Sequence, residues 1–250
     1  MGTAIVRGLL AAGWEPRSLA VAEADPGRRS GLAEALSGTA LSAEPVAADG
    51  AVVAVKPQDA EGACRSLGPI GIPRVLSVMA GVPLARIESW LGPAAVVVRA
   101  MPNTPALVGA GISAISGGSA ARGADLDWAE EVLGAVGRVV RVPESSLDAV
   151  TGLSGSGPGY LFYVAEAMIA AGAAAGLPED VSRALVLQTF AGSARLLVES
   201  GEPPEVLRGR VTSPGGTTEA GLRVLGDRAV AAAFTEAVAA AAERSRQLGR

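Results

Sequence analysis

Two loops rich in glycine and hydroxyl side chains stand out as places where this sequence could do chemistry. "TGLSGSGPGYLF" (Thr151 to Phe162) and "VTSPGGTTEAGL" (Val211 to Leu222) each open a helical segment. In the second, successive N–H groups of Gly215, Gly216 and Thr217 could form a nest for a carboxylate or phosphate, with the helix dipole behind it. A Ser or Thr helix cap would account for either loop taken alone. Two such loops in one helical region argue for more than capping. Lys56 is the only lysine in the chain and leaves an apolar run in "VVAVKPQDA". "SVMAGV" (Ser77 to Val82) and "RAMPNTPALVGAG" (Arg99 to Gly111) are similar exits. Ligands of open α/β sheets sit at the carboxyl ends of strands, which is where these segments would lie. The plainer alternatives are a solvated lysine and tight turns. With no histidine and one cysteine, Cys64, the chain has no imidazole acid/base scheme, no histidine-based triad, no zinc site and no internal disulfide.

The N-terminal residues carry a second set of candidates. Thr3 to Ala12 predicts a helix, with Gly13 as its C′ residue, that starts without a strand before it. In dinucleotide-binding folds a strand leads into G-x-G-x-x-G, and the pyrophosphate rests on the helix N-terminus. Gly2 stands where the last of those glycines would be; an ordinary N-terminal helix is the alternative. Glu23, in "LAVAEADPGRR", lies 21 residues beyond Gly2. That is close to the roughly 20-residue spacing of an acid that grips the adenosine ribose 2′-hydroxyl. Arg28 and Arg29 could instead neutralise a 2′-phosphate, or simply be solvated, and the sequence leaves these readings open.

The elements that must position these residues follow from composition and periodicity. The 250 residues are 49% hydrophobic and 18% charged, enough for one large or two modest domains. Net charge is −4 with no run of like charges, so no nucleic-acid footprint exists. The longest uncharged stretches, Ala100 to Ala121 and Ala149 to Ala165, are broken by Pro, Gly, Ser and Asn, unlike a membrane span. The N-terminus lacks a targeting pattern, and a cytoplasmic location is expected. Up to Pro143, apolar runs at Leu19–Ala22, Ala51–Val55, Arg74–Val78, Ala95–Arg99, Ile112–Ser116 and Arg138–Val142 alternate with helical patterns. This predicts an α/β fold with a doubly wound, mainly parallel sheet covered on both faces, over residues 1–143. Residues 144–250 predict an all-helical domain. Its helices, such as Tyr160–Ala175 and Val181–Glu199, are apolar around most of their circumference, so a tight homodimer through this half is expected.

Taken in order, "AVKP", "SVMAGV", "RAMPNTPALVGAG", "TGLSGSGPGYLFYVAEAM" and "VTSPGGTTEAGL" resemble the Δ1-pyrroline-5-carboxylate reductase family over essentially the whole chain. The serine/glycine loop followed about 57 residues later by S-P-G-G-T-T is its most specific feature. The resemblance implies a Rossmann-like domain followed by a helical dimerisation domain. It also implies reduction of a cyclic imine to L-proline by NADPH or NADH, with the active site at the dimer interface and dimers that often assemble into rings. Carried over by position, Ala54, Val55, Lys56 and Pro57, with Val78, Met79 and Ala80, would line the cofactor. Thr217 and Thr218, with the amides from Ser213 to Gly216, would bind substrate, and Glu144 falls at a ligand-contact position. Thr218 is the hydroxyl expected to hydrogen-bond the ring nitrogen.

One departure is visible. The family begins with a strand and a full glycine-rich turn, so Met1 corresponds to the internal methionine of a "GxxNMG"-type motif, and a natural start upstream is expected. Without that central strand, two inner strands would show unpaired edges. The alternatives to the reductase are a related imine or β-hydroxyacid reductase, and a paralogue that has lost cofactor binding.

Overall fold

The computed structural model describes residues 1–92 and 95–249. The chain falls into two compact units: Met1–Ser156 with the C-terminal segment from Val238, and Gly157–Ala237.

The first unit is the α/β part. Its strands are β1 (Ala20–Ala22), β2 (Ala40–Ser42), β3 (Ala51–Val53), β4 (Arg74–Ser77), β5 (Val96–Met101), β6 (Gly111–Gly117) and β7 (Gly137–Arg141). β1 and β2 form a parallel pair, and the other five form a sheet in the order β3-β4-β5-β6-β7, parallel except between β5 and β6. Among the described residues, one edge of β1 and one edge of β3 have no hydrogen-bonded neighbour. The apolar runs did not mark β2, which carries a single large apolar residue, Leu41, between Ala40 and Ser42.

Near-continuous apolar strands arise because both faces are covered. Along β4 and β5, Leu76 and Val98 join one buried cluster with Ile5, Leu9, Ile115 and Leu133. Their neighbours Val75 and Val97 join another with Val53, Cys64, Leu67 and Ile87. Successive side chains of a strand point to opposite faces, so each run feeds two cores. The helices supplying them are α1 (Gly2–Ala11), α3 (Ala60–Leu67), α4 (Leu84–Leu91) and α5 (Gly123–Gly134), whereas α2 (Pro26–Ala35) has no buried residue. α1 ends where Gly13 turns left-handed at φ +93°, and the N–H of Trp14 closes on the carbonyl of Leu9.

The short α6 (Leu147–Val150) runs into a π-helical turn, Thr151–Gly155. Here the hydroxyls of Thr151 and Ser154 donate back to the carbonyls of Leu147 and Val150. The serine/glycine loop is thus a bulged helical turn in which the hydroxyls of Thr151 and Ser154 serve the preceding carbonyls.

The second unit contains α7 (Gly157–Ala174), α8 (Glu179–Ser200), α9 (Pro204–Arg210), α10 (Thr217–Asp227) and the first half of α11 (Val230–Leu248). No strand occurs in it among the described residues. α7 and α8 lie close where Gly172 faces Ser182: a Cβ on the glycine would meet the serine Oγ at 2.6 Å. Their outer faces stay bare. Leu161, Phe162 and Tyr163 on α7 and Leu185, Leu187, Leu196 and Val198 on α8 are each more than half exposed. An apolar surface of this extent calls for a partner. Among the described residues no helix is long and apolar enough to cross a membrane.

Candidate active site

The carboxyl ends of β3 and β4 gather most of the expected cofactor positions. Val53 and Ser77 are register partners, so the exits Ala54–Pro57 and Val78–Ala80 leave the sheet side by side. Both strands end slightly earlier than the apolar runs suggested. Ala54, Val55, Lys56 and Pro57 are exposed. Among the described residues the ammonium of Lys56 has no partner. Gly2 opens α1 against this exit: a Cβ there would sit 3.2 Å from Cβ of Ala54. The first turn of α1 has no side-chain cap and no acid. Its N–H groups and dipole are therefore available to an anion, and a side chain at position 2 would crowd the approach. This arrangement fits a dinucleotide pyrophosphate.

Met79 departs from a side-chain role. It is 1% exposed and packs with Val53, Val75 and Val97, so only its main chain can face a ligand. Val78 is also buried, and its N–H donates to the carbonyl of Val53. Glu23 follows β1. Its Oε1 accepts the N–H of Asp25 at 2.9 Å, and Arg29 folds back to donate to the Glu23 and Ala24 carbonyls.

The S-P-G-G-T-T loop lies in the other unit. Gly215 takes φ +70°, a left-handed conformation that places it beneath the start of α10. The expected three-amide nest is only partly open. The N–H of Gly215 donates to Oε2 of Glu219 at 2.7 Å and that of Gly216 to the carbonyl of Ser213 at 3.0 Å. Thr217 and Thr218 begin α10 after Gly216, with no side-chain cap, so their N–H groups face outward with the dipole behind them. Both residues are exposed, and among the described residues neither hydroxyl has a hydrogen-bond partner. Beside the loop runs a groove of about 1140 Å³ whose lining includes Thr212, Gly215, Gly216, Arg208 and Arg223.

Glu144 belongs to the first unit. Its Oε1 accepts the N–H of Leu84 at 2.7 Å and pairs with Nη1 of Arg99 at 2.9 Å. Two residues that the sequence did not single out also matter. Asn103 joins two motifs: its Nδ2 donates to the carbonyl of Ser154 at 3.2 Å and its Oδ1 accepts the N–H of Ile112 at 2.9 Å. Glu219 closes the S-P-G-G-T-T loop on itself. Its spacing, four residues beyond Gly215, resembles a capping box and is the signal that could have found it. No comparable local signal exists for Asn103, whose partner is 51 residues away.

The pyrroline-5-carboxylate reductase dimerisation family matches residues 144–248, and a family described as NADP oxidoreductase, coenzyme F420-dependent, matches residues 1–81. The pyrroline-5-carboxylate reductase of Mycobacterium tuberculosis is 40% identical over 99% of this chain and 93% of its own length. That of Synechocystis is 46% identical over 80% of this chain and 74% of its own. The structure of a pyrroline-5-carboxylate reductase from Coxiella burnetii superposes with TM-score 0.93 at 34% identity, covering 100% of this chain and 95% of that one. The Plasmodium falciparum pyrroline carboxylate reductase, solved with NADP bound, gives TM-score 0.87 at 27% identity, covering 100% and 95%.

Proposed function

The chain belongs to the pyrroline-5-carboxylate reductase family, and on that premise we propose how its own residues carry the reduction of 1-pyrroline-5-carboxylate to L-proline, the last step of proline biosynthesis. It is an NAD(P)H-dependent oxidoreductase and a homodimer. Residues 1–143 hold the dinucleotide, and residues 144–250 bind substrate and dimerise.

The chemistry asks little of acid or base groups, which suits a chain without histidine. The imine nitrogen arrives protonated, the imine carbon, which becomes C5 of proline, gains a hydride, and the nitrogen keeps its proton as the secondary amine of proline. The bound dinucleotide supplies that hydride. Gly2 and the open first turn of α1 take the pyrophosphate, while the exits Ala54–Pro57 and Val78–Ala80 line the rest of the dinucleotide, Met79 through its main chain. The substrate carboxylate rests on the N–H groups of Thr217 and Thr218 at the start of α10. Ser213, Gly215 and Gly216 shape the loop beneath them. The Thr218 hydroxyl hydrogen-bonds the ring nitrogen and fixes the imine face presented to hydride. Glu144 holds Arg99 and the start of α4. Orientation of this kind supplies up to about 7–11 kcal/mol of the barrier in favourable cases.

The observation that carries the substrate assignment is the uncapped start of α10, with two adjacent threonine hydroxyls that have no hydrogen-bond partner among the described residues. A cytoplasmic location is proposed because a reductive biosynthetic step draws on a pool of reduced dinucleotide. The test is loss of NADPH or NADH absorbance on adding pyrroline-5-carboxylate, with L-proline as the product. Folded, dimeric protein that turns over neither dinucleotide would overturn the proposal.

A further inference from the structure

Glu23 and the two arginines after it offer opposite answers to which reduced dinucleotide this chain takes. An acid here accepts the adenosine ribose 2′-hydroxyl, whereas a free arginine would attract a 2′-phosphate. The spacing of residues permits either, and the hydrogen bonds decide between them.

The carboxylate of Glu23 is fixed. Its Oε1 accepts the N–H of Asp25 at 2.9 Å, its side chain is 24% exposed, and its own N–H donates to the Ser42 carbonyl at 3.0 Å, extending the β1–β2 pair. Among the described residues its Oε2 has no hydrogen-bond partner, so one acceptor remains for a ligand hydroxyl. Asp25 is equally fixed: as the N-cap of α2, it accepts the N–H of Arg28 through Oδ1 at 2.6 Å.

Neither arginine is free in the same sense. Nε of Arg28 stands between two carboxylates, 3.7 Å from Glu23 Oε1 and 3.8 Å from Asp25 Oδ1. Nη1 of Arg29 is spent on the Glu23 and Ala24 carbonyls at the strand exit. The four formal charges cancel. A 2′-phosphate, carrying close to two further negative charges, would have to draw Arg28 from both acids. It would then still lie against Glu23, which the Asp25 N–H holds in place. Arg28, 70% exposed, has more room to move than Glu23, 24% exposed and held by the Asp25 N–H. A ribose hydroxyl meets no such conflict, since it needs one acceptor and finds one.

We infer that Glu23, with Arg28 and Arg29 internally committed, makes this chain select NADH over NADPH. The inference rests on the reductase reading above and concerns its cofactor alone. Calorimetric titration of the full chain with NADH and with NADPH, without substrate, tests it. NADH should bind at least about tenfold more tightly. Glu23→Gln keeps an oxygen for the Asp25 N–H but removes the charge and releases Arg28. It should reduce that ratio at least about tenfold, mainly by strengthening NADPH binding. Arg28→Ala should leave NADH binding within about twofold and weaken NADPH further. Equal or tighter binding of NADPH by the unaltered chain, or an unchanged ratio in Glu23→Gln with an unchanged melting temperature, would overturn the inference. Absence of saturable binding by either dinucleotide would overturn the reductase reading on which it rests.

Discussion

Oε1 of Glu144 lies 2.9 Å from Nη1 of Arg99, a guanidinium whose side chain is only 8% exposed. The two residues are 45 positions apart, and the same oxygen holds the N–H of Leu84 at the start of α4. The pair ties β5, α4 and the segment leading into the serine/glycine loop to one atom. Removing one member of a buried pair costs more than the pair contributes, because the other charge is left uncompensated.

Glu144→Ala should therefore destabilise the fold by about 2–3 kcal/mol, below the 3–5 kcal/mol of a fully buried pair because Glu144 still reaches water. Urea unfolding at fixed protomer concentration measures this. Replacing both members, Glu144→Ala with Arg99→Met, should restore a large part of the loss. No recovery in the double variant would show that the Leu84 contact, and not the charge, dominates.

Thr218→Val removes the hydroxyl assigned to the ring nitrogen while conserving shape. A hydrogen bond to a charged group is worth about 1.5–3 kcal/mol, so kcat/KM for pyrroline-5-carboxylate should fall roughly 10- to 100-fold. Dinucleotide affinity should stay unchanged, and Thr218→Ser should recover most of the rate. A Thr218→Val enzyme with unaltered kcat/KM would remove Thr218 from the mechanism.

The exposed face of α7 and α8 gives a third expectation. Phe162 is 68% exposed in the single chain and Leu161 56%, and a dimer interface is where such residues become buried. Phe162→Asp combined with Leu161→Asp should shift the protein from dimer to monomer in light scattering and abolish turnover, while dinucleotide binding persists. A fully dimeric double variant would place the interface elsewhere.

Cys64 sets a pH dependence. It is fully buried on α3, and burial pushes its thiol from 9.0 up to about 11. Because the native state holds this proton more tightly than the unfolded chain, unfolding releases it between those values. Stability from this group is complete below about pH 9 and declines as pH rises toward 11, by something on the order of 2 kcal/mol. Unfolding free energies at pH 8 and pH 10.5 should differ more in the unaltered chain than in Cys64→Ala. Alkylation of Cys64 at pH 8 should be slow in the folded protein. Rapid labelling there would contradict the burial argument.

What the sequence determined about this protein is what a few neighbouring residues can encode. β-branched runs became strands, Gly13 ended α1, and the glycine and proline clusters fell at strand exits and helix starts. Local backbone preference and the period of apolar residues act within a turn or two, so they can be read from order alone. The glycine-rich loops were legible for that reason. The tertiary structure decided which donors and acceptors in them remain free. Met79 turned its side chain into the core, and the Gly215 amide was claimed by Glu219. Arg28 stood between two acids, and Glu144 found Arg99 across 45 residues. Each polar group takes the partner that folding brings within about 3 Å, and a long side chain has several candidates within its own reach. Which of them wins depends on strands and helices whose positions are fixed only when both cores close on the sheet.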